Sequence, residues 1–393
     1  MSADERVYLK VHIETGEVGS LVWHLDLEDV DRGCDKVTFR MDNPNSAHSD
    51  ALQEGEEVRV ELGWESENAL AFEGIIHGTH VVAHDSPRVE VQAYDPSFRL
   101  TLGDPPASRH YVGTLEEILT EILEPYHIPV GSVRIDPMPD WSDDEPLLQQ
   151  HKNDWEFIQD LAEEYRSRAF VEVNAAEGDS DEVRARGGEP RFYFWSEQVL
   201  LEQEPMGTLL HCTGIGKLLE FNYHRVGSGA SPSSSITVSN PETGDSTPQQ
   251  GAEPAAGPAP EASADRSAQI SARDGEGRAH SYESSVDVAA AAETQPQDLR
   301  ARRTIIGAPS SEELAARRIE QDQTRILGFY GRGVAMGTVF LRAKGPVEID
   351  GVATWANGRW YVSRVNHIIE RRSIEEENRL TQLTYRTRFV ATR

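Results

Sequence analysis

Cysteine is nearly absent from this 393-residue chain: Cys34 and Cys212 stand far apart, outside any CxxC or Cys/His spacing. They read as inert buried thiols, which argues against a disulfide framework, a redox pair or a thiolate metal site. Lysine is scarce too, confined to Lys10, Lys36, Lys152, Lys217 and Lys344 among 38 basic residues. Positive charge is therefore mostly arginine, which suits bidentate pairing with carboxylates. No apolar run reaches the roughly 18 residues a membrane span requires. The N-terminal MSADERVYLK has no apolar stretch of the kind that marks a secretory leader. The chain is expected to be made and folded in a cytoplasm, without stable membrane insertion.

What the sequence has in plenty is carboxylate. The formal net charge is −29 and the pI about 4.8, so direct nucleic-acid binding is not expected, because such a surface repels phosphate instead of replacing its counterions. Two readings of the acidity stand: a solvated surface that keeps a large assembly soluble or belongs to a salty cytoplasm, which is preferred, and a negatively lined channel for an anionic cargo. With 38% hydrophobic and 27% charged residues over this length, the chain has the composition of a soluble globular protein of two or three domains.

Period-two alternation recurs through the first hundred residues, at Val37, Phe39 and Met41, at Val58, Val60 and Leu62, and at Val89, Val91 and Ala93. These are half-buried strands. Turn chemistry such as Asp42-Asn43-Pro44-Asn45, Glu54-Gly55 and Asp85-Ser86-Pro87 separates them, as in an antiparallel meander or small barrel. At Thr114 the period changes. Thr114 and Glu117 form a capping box, and Leu115, Ile118, Leu119, Ile122 and Leu123 make one helical face that Pro125 helps to end. Asn153 and Glu156 repeat the device ahead of Phe157, Ile158, Leu161, Ala162 and Tyr165, after which Phe170, Val171 and Val173 read as a strand. RFYFWS at 191–196 is a further strand, and DPMPDWSDDEP at 136–146 is a loop.

The order LLQQHKNDWEFIQDLAEEY followed by a short strand resembles the phage late control D family, the tail-hub proteins of contractile phages, and is similar to the hub part of type VI secretion spike proteins. KVTFRMDNP at 36–44, EGEEVRVELGW at 54–64, FEGIIHGTHVVAH at 72–84 and VEVQAYDPSFRL at 89–100 follow in that family's order. SSEELAARRIEQDQ and RWYVSRVNHIIERRS resemble its closing barrel. About 227–309 carries no such match.

The expected fold class is α+β and β-rich: two tube-like antiparallel β-barrels, a small α/β insertion and a long flexible linker. Residues 1–105 are expected to form the first barrel, 106–205 the helix-containing α/β domain, and 206–244 the start of the second barrel. Composition makes 245–309 a low-complexity linker or mobile loop. Residues 310–393, opening with a capping box at Ser310 and Glu313, complete the second barrel. A short echo, Gly55 with EEVRVEL and FEGIIHGTHVV against Gly345 with PVEID and WYVSRVNHII, suggests that the two barrels are related.

The resemblance implies a structural, non-enzymatic baseplate hub, a homotrimer that adapts a sixfold inner tube to a threefold spike. Its partners would be the spike protein, inner tube proteins and other baseplate proteins, within a phage tail or a phage-like injection particle that is released extracellularly. The chain ends at Arg393 without a repetitive β-prism, so the spike is expected to be a separate protein. The alternatives are a hub-associated cell-wall hydrolase and a free-standing carbohydrate- or surface-binding β-protein.

No catalytic, cofactor or metal residue is assigned. His77, His80 and His84 would share a helical face, but their neighbours Gly78, Thr79, Val81 and Val82 favour a strand on which His77 and His80 diverge. Asp140, Asp143, Asp144 and Glu145 could supply paired carboxylates for glycoside hydrolysis, yet a charged, Pro-rich loop does not desolvate an acid. Trp141 beside them is an anchor for that loop or part of a subunit contact. Gly214-Ile215-Gly216-Lys217 is neither a dinucleotide fingerprint nor a P-loop, and the serines at 231–235 have no base positioned for them. Trp155 is read as a packing residue.

Overall fold

Strand after strand is laid down with one face apolar, and thirteen of them join one large sheet. The computed structural model describes residues 6–14, 16–49, 52–82, 87–173, 189–211, 216–225, 233–239, 246–250, 267–273, 279–285, 302–305, 329–353, 356–373 and 381–393. Two compact units are present, one made of 1–224 and 330–393, the other of 225–329.

In the larger unit the chain begins with β1 (Val7–Ile13), β2 (Gly16–Glu17), β3 (Val22–Val30), β4 (Lys36–Asp42), β5 (Glu57–Trp64), β6 (Glu67–Val82) and β7 (Arg88–Tyr94). Registers Leu25↔Phe39 and Phe39↔Val91, with Leu27↔Val37 and Val37↔Ala93, stack the alternating apolar residues in rows across β3, β4 and β7. All nine of the residues that alternate in sequence, from Val37 to Ala93, are buried. At about 1.5–3 kcal/mol for each large apolar side chain, these rows dominate the stability of this half.

The helical insertion follows: β8 (Arg109–Tyr111), β9 (Gly113–Thr114), α1 (Leu115–Leu123), β10 (Val130–Arg134), β11 (Asp140–Trp141), β12 (Leu147–Gln149), α2 (Asp154–Glu164), β13 (Ser167–Glu172), β14 (Arg191–Ser196) and α3 (Glu197–Glu202). Both capping boxes form, Thr114 with Glu117 and Asn153 with Glu156. They satisfy N–H groups that a helix start otherwise leaves unpaired. The five apolar residues of α1 pack with Trp155, Phe157, Ile158 and Leu161 of α2 and with Phe192 and Phe194 of β14 in a second core. Asp140 and Trp141, read from sequence as part of a loop, pair with Thr114 and Gly113, because the short β9 leaves an edge for them.

The chain then returns to the sheet through β15 (Thr208–Leu210) and β16 (Leu218–Arg225). Within the smaller unit, β17 (Ser233–Ser239) pairs with β18 (Ser246–Gln250) and β21 (Arg302–Ile305), and β19 (Ser267–Arg273) pairs with β20 (Ala279–Ser285). Within 245–309, expected from composition to be a low-complexity linker or mobile loop, the described residues pair as short strands. Backbone pairing needs few apolar side chains, so poor composition does not preclude it. The rest of that stretch and the helix expected after Ser310 lie outside the described residues.

The larger unit closes with β22 (Phe329–Met336), β23 (Gly345–Asp350), β24 (Gly358–Ser373) and β25 (Thr381–Thr392). The sheet order is β16-β22-β25-β24-β3-β4-β7-β6-β5-β1-β2, with β23 and β15 branching from β24. The fold is thus β-rich α+β, as expected.

β6 and β24 are both 16 residues long, and each carries a bulge. β6 pairs with β5 along its first part and with β7 along its second. β24 differs, taking β23 along Gly358–Val362 and β3 along Arg364–Glu370 on one edge and β25 along the other.

Candidate functional site

The most distinctive chemistry is a buried charge cluster where β3, β4, β13 and β23 approach one another. Lys344 precedes β23 with a positive φ of 68°, and its ammonium lies 2.6 Å from Asp29 Oδ1, 2.9 Å from Asp35 Oδ2 and 3.3 Å from Glu172 Oε2. Three residues donate to these carboxylates from the main chain or as a second cation. The Val30 N–H donates to Asp35 at 2.9 Å, the Ala343 N–H to Asp29 at 2.9 Å, and Arg342 approaches Glu172 at 2.8 Å. Asp95 extends the cluster by accepting from the backbone N–H of Asp35 and, at 2.7 Å, from that of Ser97.

Asp29, Asp35 and Glu172 present oxygens within 4.8 Å of one another, as a cation site would. The cation there is the Lys344 ammonium. Burial alone would lower its pKa, but the charges of Asp29, Asp35 and Glu172 outweigh burial and hold it well above the ordinary lysine value. For Asp29 burial acts upward, yet Lys344 and Arg342 bring its pKa below the usual carboxylate range. Asp35 goes the other way: burial, with Asp29, Asp95 and Glu172 nearby, raises it well above that range despite Lys344. Burial likewise pushes Asp95 up to about 6. Four carboxyls face two cations, Lys344 and Arg342, and this excess of negative charge adds to burial in raising Asp35.

This arrangement clamps distant parts of the chain together. Every polar atom named is engaged with another protein group, and the cluster joins residues from the N-terminal strands, the helical insertion and the C-terminal strands. A second set of contacts does the same. Arg168 on β13 pairs with Asp31 at 3.1 Å and with Glu197 at 2.8 Å, and the Tyr361 hydroxyl on β24 donates to Asp31 at 3.3 Å. Trp64 Nε1–H donates to the Gly337 carbonyl at 2.7 Å. His367, buried on β24, is held neutral with its pKa lowered to about 4 by desolvation, and its Nδ1 lies 2.7 Å from the Tyr385 hydroxyl.

The residues singled out in sequence are dispersed. His77 is the extra residue of the β6 bulge, its ring 4.7 Å from Phe98, while His80 sits opposite Glu90; His84 lies outside the described residues. Asp140, Asp143, Asp144 and Glu145 are all exposed, and Trp141 packs edge-on against Tyr165. Trp155 is buried in the second core. Cys34 is a free thiol, half-buried, its pKa raised to about 12 by desolvation. Cys212, Gly214, Ile215 and Ser231 lie outside the described residues, and Lys217 approaches Glu67 at 3.6 Å. The Lys344 cluster was missed. Its one legible signal is a lysine in a lysine-poor chain, set between Ala343 and a strand that becomes buried. No helix among the described residues is long and apolar enough to cross a membrane.

No family model matches the chain, and no curated protein matches it in sequence. Solved structures do match in fold. A tail protein from Neisseria meningitidis superposes with a TM-score of 0.59 at 10% identity, covering 99% of this chain and 97% of that one. A 43 kDa prophage tail protein from Shewanella oneidensis gives 0.56 at 10% identity, with 99% and 97% covered. An E. coli component of the type VI secretion system, described as structurally similar to T4 bacteriophage tail proteins, gives 0.54 at 11% identity, with 97% and 76% covered. Along nearly its whole length, then, this chain has the fold of phage tail proteins and of a type VI secretion component.

Proposed function

We propose that the chain is a structural baseplate hub of a contractile phage tail or a phage-like injection particle, acting as a homotrimeric adaptor between a sixfold inner tube and a threefold central spike. The observation that carries this reading is the end-to-end likeness in fold to tail proteins. The sheet supports it, since each of its halves contributes a bulged 16-residue strand. Three copies would therefore supply six similar halves, the number a sixfold tube requires. Residues 1–105 would make the first barrel, 106–205 the α/β domain, and 206–244 with 310–393 the second barrel. The buried clamps suit a part that transmits mechanical load, because they cross-link the three regions through charge-assisted bonds.

The role is non-enzymatic in this reading, and the partners are the spike protein, tube subunits and other baseplate proteins. Electron microscopy of particles that co-purify with the tagged chain from its host tests it. Three copies between tube and spike are expected. A monomer that enters no particle overturns it and favours a surface-binding protein, while peptidoglycan cleavage by the purified chain favours the hydrolase.

A further inference from the structure

On its C-terminal half the exposed face of the sheet holds a recess of about 670 Å³, framed by the end of β3 and by β16, β22, β24 and β25. In a chain of net charge −29, four arginines line it: Arg32, Arg332, Arg364 and Arg388. All four are exposed. The backbone gathers them. Arg332 and Arg364 lie opposite Val390 from either side, while Arg388 lies between Val334 and Asn366 in the next outward-facing row. Adjacent strands run about 4.8 Å apart, so Arg332 and Arg364 stand about 10 Å apart at their backbones, with Arg388 between their strands.

Arg364 reaches this face only because of the bulge in β24. Val362 pairs with Ala391 and Arg364 with Val390, which leaves Ser363 as the extra residue. In an unbroken ladder Ser363 would face Val390 and Arg364 would face Phe389, toward the core. A bulge re-aims the side chains that follow it, and here it brings a guanidinium to solvent.

The acids at the recess are already engaged. Asp31 is taken by Arg168 and Tyr361, and Glu220 accepts from Asn222 at 2.6 Å. Arg364 has a half-exposed partner in Glu28 at 3.4 Å, and Arg332 donates to its neighbour Tyr330 at 2.8 Å. Among the described residues, Arg32 and Arg388 have no ion-pair partner.

We infer that this recess is a binding site for a carboxylate-rich peptide segment of a partner protein. Guanidinium forks match carboxylates bidentately, and the apolar surfaces of Val334, Val390 and Tyr330 between the charges suit a peptide whose acidic residues alternate with aliphatic stems. The volume is within the range of sites that enclose a few side chains. This site goes beyond the hub reading and stands or falls separately from it.

The test is fluorescence anisotropy of a fluorescein-labelled hexaglutamate peptide titrated with the full chain, with a labelled single-stranded DNA of equal charge as comparison. Saturable peptide binding is expected, weakened by raising salt from about 50 to 300 mM, as screening requires. The double variant Arg364→Gln with Arg388→Gln is expected to bind roughly tenfold or more weakly, the scale of losing charge-assisted bonds. Arg59→Gln, which removes an exposed Arg–Glu pair on β5, is expected to bind like the parent, and matching urea midpoints establish that the variants are folded. Absence of saturable binding, or equal binding by the double variant, overturns the site. Tighter binding of the DNA, lost in the same double variant, overturns the peptide as its occupant.

Discussion

Asp29 and Lys344 are 315 positions apart in sequence and 2.6 Å apart in the fold. Neither side chain has water to fall back on, and each is satisfied only when the first strands and the last have both arrived.

Lys344→Met is therefore expected to destabilise the protein by about 3–5 kcal/mol, because it leaves buried carboxylates unpaired. Adding Asp29→Asn should cost less than the sum of the two single changes, since one stranded charge disappears with the cation. Urea unfolding of the four members of this double-mutant cycle measures the coupling. Additive effects would mean that the two residues do not interact.

Asp95 and His367 make opposite pH demands. Burial raises Asp95 from 3.8 to about 6, so between those values the native state holds a proton that the unfolded chain has released, and stability falls as pH rises. Burial lowers His367 from 6.5 to about 4, so between those values the unfolded chain holds the extra proton, and stability rises with pH. Each shift is worth about 3 kcal/mol and the two oppose one another across pH 4–6, with the raised Asp35 acting in the same sense as Asp95. Relative to the parent, Asp95→Asn should tilt the stability profile upward with pH between 4 and 6, and His367→Gln should tilt it downward. Urea midpoints at half-unit pH steps decide the matter, with parallel profiles for the two variants as the contrary result.

Gly333 and Gly337 permit two aromatic rings to lie against the backbone of β22 and the loop after it. A Cβ at Gly333 would collide with the Phe389 ring, and one at Gly337 with the Tyr385 ring. Both rings belong to buried residues of β25, so neither can swing away. Gly333→Ala and Gly337→Ala are each expected to cost about 1–3 kcal/mol, whereas Gly78→Ala, where a Cβ meets nothing within 4 Å, should be tolerated. Thermal midpoints of the three variants test this ordering.

Asn153 accepts from the Glu156 N–H at 2.8 Å to open α2. Its replacement by alanine should cost about 1 kcal/mol, and by aspartate almost nothing. Hydrogen exchange at the first turn of α2 is expected to quicken in Asn153→Ala alone.

That cap was readable before any coordinate, as were the apolar faces of α1 and α2 and the buried alternation of β4, β5 and β7. Each is fixed by residues within one turn or one strand. Lys344 was not readable, because RAKGPVEID looks like any solvated turn into a strand until Asp29, Asp35 and Glu172 are brought to it from other parts of the chain. Nor was the orientation of Arg364, since one unpaired residue, Ser363, reverses the facing of everything after it and leaves no compositional trace. The paired segments between 246 and 285 are held by main-chain hydrogen bonds, which serine, glutamine and alanine do not advertise in sequence.

The pairing of β3 with β24 also sets a timetable. Val30, the last residue of β3 to pair, meets Arg364, so on the ribosome β3 must wait for more than three hundred residues to be added, roughly 20–70 s at ordinary elongation rates. Throughout that interval one side of β3 is an open edge whose N–H and C=O groups can template the wrong partner. Nascent chains halted before Gly358 should therefore aggregate or hold a chaperone, and chains halted well beyond Arg393 by a C-terminal tether should not. During its own synthesis, the sheet is an unfinished joint between its first strands and its last.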